Sequence, residues 1–263
     1  MTPAQSSYTQ KRGTGGKEVH TLTPLPMPPN CLLRDELLLP NRYIAPLWAQ
    51  EIVDEWNKAQ DLRKVGAYPT QSALVSGPSG VGKTTASRWI AKELHLPLFS
   101  LSLASAIESF MGATGSNLDK AIRYGVSAPM LLIIDELDSV AAGRSQKNND
   151  VGEIWRITNT LIQALDHWHS LERSSFLMAT TNLPEAVDFA IRRRFEREVN
   201  VEFPDNAELS KIAGVALPST VRISHAALQR IILQAKRASV MHGADYALNV
   251  LGMVSNMHLD KMW

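Results

Sequence analysis

A glycine-rich stretch, GPSGVGKTT, combines the residue types and the spacing that hold a nucleotide phosphate. It fits the pattern G-x-x-x-x-G-K-[ST], in which glycines let backbone N–H groups turn toward the phosphate oxygens. Lys83 would neutralise the β- and γ-phosphates, and the Thr84 hydroxyl would bind Mg²⁺. The residues expected to contact the nucleotide are Gly77, Pro78, Ser79, Gly80, Val81, Gly82, Lys83, Thr84 and Thr85.

Two carboxylates directly follow an apolar segment, MLLIIDE, that is typical of a buried strand. In a parallel sheet, ligand chemistry collects at the carboxyl ends of the strands, so Asp135 and Glu136 are expected to face the phosphate loop. Asp135 would hold Mg²⁺ through a water molecule and would also contribute to nucleotide binding. Glu136 would orient and deprotonate the water that attacks the terminal phosphate.

A third segment, FLMATTNLPEAVDFAIRRRFEREVNV, begins as a strand and continues into polar residues. Asn182 could reach between the γ-phosphate and the acidic strand end. Three consecutive arginines stand just before Phe195, and taken alone such a run is usually a solvated basic turn. Their position shortly after a polar strand end leaves a second interpretation open, in which they act on a phosphate.

The elements that must position these residues alternate between strand-like and helix-like segments, which predicts an α/β fold with a parallel sheet. Five strands are expected, in ALVS, LFSLSL, MLLIIDE, FLMAT and EVNVEF. Helices would cover the faces of this sheet. After Pro204 the strand pattern stops, and the remaining sequence predicts two or three helices.

These patterns predict that the chain is divided into three parts. Residues 1–38, rich in Pro, Ser and Gly, are expected to be a flexible arm, since the prolines of TPLPMPPN exclude a helix. Residues 39–204 would form the nucleotide-binding α/β domain, beginning with a helix in which Trp48, Ile52 and Trp56 recur at every fourth position. Residues 205–263 would form a small helical domain.

At these motifs the sequence resembles the AAA family of ATPases, from about Leu39 to Gly243. GPSGVGKT resembles the Walker A motif of that family, LLIIDELDS its Walker B motif, ATTN its sensor 1 and LPEAVDFAIRRRF its second region of homology. AIRRRFER is most similar to meiotic-clade members such as katanin, spastin and the vacuolar-sorting ATPase. The leading helix also resembles that of compact bacterial stand-alone AAA ATPases.

The resemblance implies a five-stranded P-loop NTPase sheet, the AAA+ large domain, with a small C-terminal helical lid domain. It implies ATP and Mg²⁺ as cofactors and a homo-oligomeric ring, usually of six copies. Arg193 and Arg194 would be arginine fingers that complete the site of a neighbouring copy. The catalytic residues implied in this way are Glu136, Lys83, Asn182, Arg193 and Arg194.

The segment between the second and third expected strands corresponds to the central pore loop of the family, which grips an extended polypeptide. Phe110, Met111 and Gly112 match its pattern of an aromatic residue, an apolar residue and glycine. Phe110 and Met111 could instead be core contacts of a short helix. The pore-loop interpretation favours ATP-driven remodelling, unfolding or threading of a protein substrate, recruited directly or by an adaptor.

Two other functions stay open. The chain could be a nucleotide-gated switch or scaffold that controls a partner such as a protease, or a DNA-associated loader or transposition-type regulator. A net charge of +1 gives no general attraction to nucleic acid, which argues against the hypothesis of a DNA-associated loader or regulator. The family's usual Gly-Ala-Asp at the start of the second lid helix is replaced by ISHAA, residues 223–227, so a preference for ATP rests on the family resemblance.

Composition favours a cytoplasmic protein. The single cysteine, Cys31, excludes an internal disulfide and fits a reducing compartment. The N-terminal sequence has no hydrophobic segment typical of a signal peptide, and no apolar run approaches the length of a membrane helix, so no membrane insertion is expected.

Overall fold

The computed structural model describes residues 31–34, 37, 39–40, 43–103, 120, 122–125, 128–139, 151–168, 174–214, 216–217 and 221–242. The expected pore loop, with Phe110, Met111 and Gly112, lies outside these residues, as does the chain beyond residue 242.

A six-stranded sheet forms the centre of the described part of the chain. Its strands are β1 (Cys31–Arg34), β2 (Ser72–Ser76), β3 (Leu98–Ser102), β4 (Leu131–Asp135), β5 (Phe176–Thr181) and β6 (Arg197–Asn200). They lie in the order β1-β3-β4-β5-β2-β6, and all neighbours are parallel except β1, which is antiparallel to β3. The expected five-stranded parallel sheet is therefore confirmed, and one antiparallel edge strand is added to it.

The added strand corrects the expected extent of the flexible arm. Residues 31–34 were assigned to that arm, yet they pair with β3 in a register that sets Cys31 opposite Leu101 and Arg34 opposite Leu98. A four-residue apolar segment directly after a proline-rich stretch is too short to be recognised as a strand from its own pattern. The unpaired edge of β3 supplies the hydrogen bonds that fix it.

Seven α-helices have both of their ends within the described residues. They are α1 (Leu47–Asn57), α2 (Ala59–Lys64), α3 (Lys83–Glu93), α4 (Val151–Trp168), α5 (Phe189–Arg192), α6 (Asn206–Ala213) and α7 (His225–His242). The single leading helix expected from sequence is divided at Lys58 into α1 and α2, and a 3₁₀ turn, Pro184–Ala186, precedes α5. None of the helices in the described ranges is long and apolar enough to cross a membrane.

The sheet is buried on both faces, which explains why its central strands are almost continuously apolar. On one face Leu132 and Leu177 pack with Leu161, Leu165 and Trp168 of α4. The opposite face packs against α1 and α3, and its core consists mainly of Ala73, Val75, Ile133, Met178, Ile52 and Ile90. These two layers fix the carboxyl ends of β2, β4 and β5 side by side at one edge of the sheet.

A third apolar cluster joins α6 and α7, which are called the helical pair below. Leu209 and Ile212 of α6 pack with Leu228 of α7 and with Val221 and Ile223 of the connecting segment. The pair therefore has a core of its own, separate from the two clusters that sandwich the sheet.

Candidate nucleotide-binding site

The phosphate loop connects β2 to α3 and is fixed at its base by backbone hydrogen bonds. The Gly77 N–H donates to the Thr181 carbonyl of β5 at 3.2 Å, and the Val201 N–H donates to the Ser76 carbonyl at 2.7 Å. Gly77 has a φ of 145°, and a Cβ added there would overlap the Val201 carbonyl oxygen. Only glycine fits this position, because a side chain would push the loop off the sheet.

The loop borders a cavity of about 240 Å³ at the carboxyl edge of the sheet. Of the nine residues expected to contact the nucleotide, six line this cavity: Ser79, Gly80, Gly82, Lys83, Thr84 and Thr85. The other three support the loop, since the Gly77 and Pro78 carbonyls accept from Lys83 and the Val81 carbonyl contacts His225. The remaining walls come from Pro40, Asp135, Glu136, Thr180, Asn182, His225, Ala226 and Gln229.

Lys83 lies at the centre of this cavity wall, on the first residue of α3. Its Nζ donates to the Gly77 carbonyl at 2.6 Å, the Pro78 carbonyl at 2.8 Å and the Asn182 Oδ1 at 2.7 Å. Burial lowers the pKa of Lys83, and the carboxylates of Asp135, Asp138 and Glu136 oppose that shift. A partly desolvated ammonium group is thus held where it can meet an anionic ligand.

The expected metal ligands lie together. The Thr84 Oγ1 is 3.1 Å from one carboxylate oxygen of Asp135 and 3.3 Å from the other, and the Thr180 hydroxyl also donates to this carboxylate. Hydroxyl and carboxylate oxygens are the donors that Mg²⁺ prefers. The donor set therefore fits a magnesium ion held beside the phosphate loop.

Glu136 lies one residue beyond β4, in a backbone conformation that few residues other than glycine adopt. Its φ is 56°, and its N–H donates to the Thr180 Oγ1 at 3.2 Å while the Leu137 N–H donates to the Thr180 carbonyl at 2.8 Å. Left-handed backbone at non-glycine residues costs free energy and concentrates at functional sites. Here it turns an exposed carboxylate toward the cavity at the end of a buried strand.

Asn182 is positioned by hydrogen bonds to its side chain and to its backbone N–H. The backbone partner, Asp138, is a residue of the site that the sequence did not predict. The Asp138 Oδ1 accepts from the Thr181 Oγ1 at 2.8 Å and from the Asn182 N–H at 3.1 Å. The Asn182 Oδ1 accepts from Lys83 on the opposite side. The available signal in the sequence was a further acidic residue, Asp138, two positions after Glu136. Its hydrogen bonds to Thr181 and Asn182 at the end of β5 are visible only in the fold.

Replacing Asp138 with alanine is expected to lower ATP turnover about tenfold, the effect of losing a hydrogen bond to a charged group that orients Asn182. Asp138→Asn retains an acceptor oxygen and should recover most of the activity. Steady-state phosphate release checks both variants, with Asp61→Ala, an exposed change on α2, as the control. Equal loss in the alanine and asparagine variants would show that charge, and not the hydrogen-bond geometry, matters here.

The two arginines expected to act on a neighbour differ from each other. Arg193 is exposed at the end of α5. Arg194 donates through Nε and Nη2 to the two carboxylate oxygens of Asp166, at 2.7 and 3.1 Å, and through Nη1 to the Ala190 carbonyl. Neither arginine belongs to the walls of the chain's own cavity.

The first turn of α7 forms the cavity wall opposite the sheet, through His225, Ala226 and Gln229. The sequence indicated this region only as the segment ISHAA and assigned no role to His225. Its ring contacts the phosphate loop across 144 positions of sequence, so the contact follows from the packing of the helical pair and not from a local pattern.

The comparison with family models agrees with this geometry. Residues 73–203, which include the phosphate loop, the acidic strand end and both arginines, match the ATPase family associated with various cellular activities (AAA). The chain carries an AAA ATPase domain. The family thereby implies nucleotide binding by this domain.

Several curated relatives are similar to this chain over more than half of its length. An uncharacterized AAA family ATPase, y4kL, of Sinorhizobium fredii is 32% identical over 160 residues, which are 61% of this chain and 47% of that protein. The ATP-dependent zinc metalloprotease FtsH of Helicobacter pylori is 33% identical over 209 residues, 75% of this chain and 32% of the relative. The chloroplastic ATP-dependent zinc metalloprotease FTSH 6 of Oryza sativa subsp. japonica is 37% identical over 162 residues, which are 59% of this chain and 23% of that protein.

The chain spans less than half the length of each of these three relatives. They support an AAA ATPase in general and do not single out the meiotic clade. The resemblance of AIRRRFER to that clade stays a prediction from sequence.

Proposed function

We propose that this chain hydrolyses Mg²⁺-bound ATP and that a ring of its copies, usually six, uses the reaction to remodel or thread protein substrates. The observation that carries the proposal is the convergence of Lys83, Thr84, Asp135, Glu136 and Asn182 on one cavity. Together they bring the capacities that phosphoryl transfer needs: a cation, two metal ligands, a base and a water-orienting amide.

The chain's residues divide the chemistry among them. Lys83 and the N–H groups of the phosphate loop bind the β- and γ-phosphates, while Asn182 orients the attacking water. Glu136 takes the proton from that water as a general base. Thr84 and Asp135 would hold Mg²⁺, which supplies charge neutralisation for the phosphates when it is bound.

Among the residues that the structure describes, the site has no arginine to stabilise charge on the transferred group, a feature of efficient phosphoryl-transfer centres. Within the described residues no arginine lines the cavity, whereas Arg193 is exposed elsewhere on the same domain. These two observations support an arrangement in which Arg193 and Arg194 reach the cavity of a neighbouring copy. A closed ring places every arginine pair beside a neighbour's cavity.

Protein substrates are proposed because the FtsH relatives are named as ATP-dependent metalloproteases, so that ATP use is linked to protein handling in those enzymes. The pore loop at Phe110, Met111 and Gly112 and a cytoplasmic location remain predictions from sequence. The switch and the DNA-associated loader are the other outcomes that the following experiment distinguishes.

The proposed function predicts Mg²⁺-dependent phosphate release that an unfolded polypeptide such as casein stimulates and double-stranded DNA does not. Lys83→Ala should abolish binding of a fluorescent ATP analogue, because the phosphates lose their central cation. Lys92→Ala, an exposed change on the same helix, should match the wild type.

Each other outcome has a distinct meaning. Stimulation by DNA alone would favour the loader, and binding without sustained turnover would favour the switch. Retention of ATP binding by Lys83→Ala would place the nucleotide outside this cavity.

A further inference from the structure

We propose that His225 is a positioning residue that fastens the helical pair to the phosphate loop and so orients the loop's N–H groups for ATP. The inference rests on the proposed function, because it concerns the same cavity. It starts from two contacts of one imidazole ring. Nδ1 lies 2.9 Å from the carbonyl oxygen of Val81 in the loop, and Nε2 lies 2.8 Å from Oε1 of Glu208 in α6.

The ring is held in place by the start of its own helix. His225 is the first residue of α7, and the buried Ser224 before it caps the helix by accepting from the Ala227 N–H at 3.2 Å. The Ala226 N–H donates to the Gly80 carbonyl at 3.0 Å. The first turn of α7 therefore contacts the carbonyl groups of two consecutive loop residues.

These two contacts determine where the loop's N–H groups point. In a planar trans peptide the carbonyl and the N–H face opposite directions. The peptide units whose carbonyls contact α7 carry the N–H groups of Val81 and Gly82. Both N–H groups consequently point away from the helical pair, and they are among the donors expected to bind phosphate.

The loop and the helical pair are also in direct van der Waals contact. Gly80 has a φ of 77°, and a Cβ added there would lie 2.9 Å from the Ala226 Cβ and 2.9 Å from the Ser224 Oγ. There is no room for a side chain between the two parts. A displacement of the helical pair must therefore disturb the loop.

The chemistry of the two contacts requires a protonated ring. A backbone carbonyl and an ionised carboxylate can only accept hydrogen bonds, so both bonds form only when both imidazole nitrogens carry a proton. A neutral imidazole has one N–H and must lose one of the two bonds. The fastening therefore depends on the second ring proton, which the Glu208 carboxylate accepts.

The other ionisable groups around the ring do not replace this contact. Glu208, held at the start of α6 by the Asp205 cap, is the hydrogen-bonded carboxylate partner of His225 in the described part of the chain. Burial, and to a smaller extent Glu208, raises the pKa of Tyr43, so that phenol stays neutral here. Lys83, Asp135 and Glu136 line the same cavity, whereas the hydrogen bonds of the His225 ring go to Val81 and Glu208.

The test measures the affinity of the full chain for a fluorescent ATP analogue. His225→Ala should bind the analogue at least about tenfold more weakly than the wild type, as expected for the loss of a hydrogen bond to a charged group. His242→Ala, an exposed change at the other end of α7, should follow the wild type.

Glu208→Gln is the most discriminating variant. A glutamine amide can donate to Nε2 of a neutral imidazole, whose Nδ1–H still donates to Val81, so both contacts survive without a charge. This variant should bind the analogue about as tightly as the wild type. Glu208→Ala, which removes the partner of Nε2, should bind about as weakly as His225→Ala.

Imidazole ¹⁵N spectra of the chain without nucleotide give a second measurement. The His225 signal, assigned by its absence in His225→Ala, should report two protonated nitrogens under the conditions of the binding measurement, because both partners are acceptors. A singly protonated ring, or Glu208→Gln binding as weakly as Glu208→Ala, would overturn the proposal. Failure of the wild type to bind the analogue would contradict the proposed function instead, and the spectra would still decide the state of the ring.

Discussion

Glu136→Gln is expected to bind ATP about as tightly as the wild type and to hydrolyse it at least about 100-fold more slowly, since a positioned general base contributes on that scale. Glutamine keeps nearly the shape of glutamate but cannot accept the proton of the attacking water. The backbone hydrogen bonds from residues 136 and 137 to Thr180 do not involve the side chain, so the left-handed turn should survive the change.

Phosphate release and equilibrium binding of a fluorescent ATP analogue, measured on one preparation, separate the two effects. Glu93→Gln makes the same chemical change at an exposed position near the far end of α3 and should leave both quantities unchanged. If Glu136→Gln hydrolysed ATP as fast as Glu93→Gln, the base would have to be another group.

Arg193→Ala is expected to retain ATP binding and to lose turnover by about 10³-fold or more, the range measured for arginine fingers in other nucleotide hydrolases. The expectation follows from position: the side chain is exposed and is absent from the walls of the chain's own cavity. A cation that acts only on a neighbour changes the catalytic step and leaves the binding of ATP intact.

Arg194→Ala should have a smaller effect on turnover and an added effect on stability. The Arg194 guanidinium joins α5 to Asp166 of α4, and loss of such a partly exposed ion pair costs up to about 1 kcal/mol, or a melting temperature lower by about 2–4 °C. Phosphate release and thermal unfolding distinguish the two arginines, with Arg230→Ala, an exposed change on α7, as the control. Turnover in Arg193→Ala equal to that control would remove Arg193 from the catalytic site.

The parallel sheet and the phosphate loop could be predicted because their signals are local. A strand buried on both faces must be apolar along its length, and each of the five expected strands is found with bounds shifted by only a few residues. The G-x-x-x-x-G-K-[ST] pattern fixes its own conformation through glycines that no other residue can replace, as the overlap at Gly77 illustrates.

The contacts that complete the site could not be predicted, because they join residues far apart in sequence. Asp138 meets Thr181 across 43 positions, Arg194 meets Asp166 across 28, and His225 meets Val81 across 144. Nothing in the local pattern of a charged side chain identifies its partner. The edge strand β1 was not predicted for a related reason, since its four residues become a strand by pairing with β3 and not by their own propensity.

We propose that one working site takes its base from one copy and its arginine from the next, and mixing two inactive variants tests this arrangement most directly. Glu136→Gln keeps Arg193, and Arg193→Ala keeps Glu136. In equimolar mixed rings, about a quarter of the interfaces would combine an intact base with an intact arginine. We predict that the mixture regains a corresponding fraction of wild-type ATP turnover. A mixture that stays at the average of its two inactive components, at every ratio, would contradict the account.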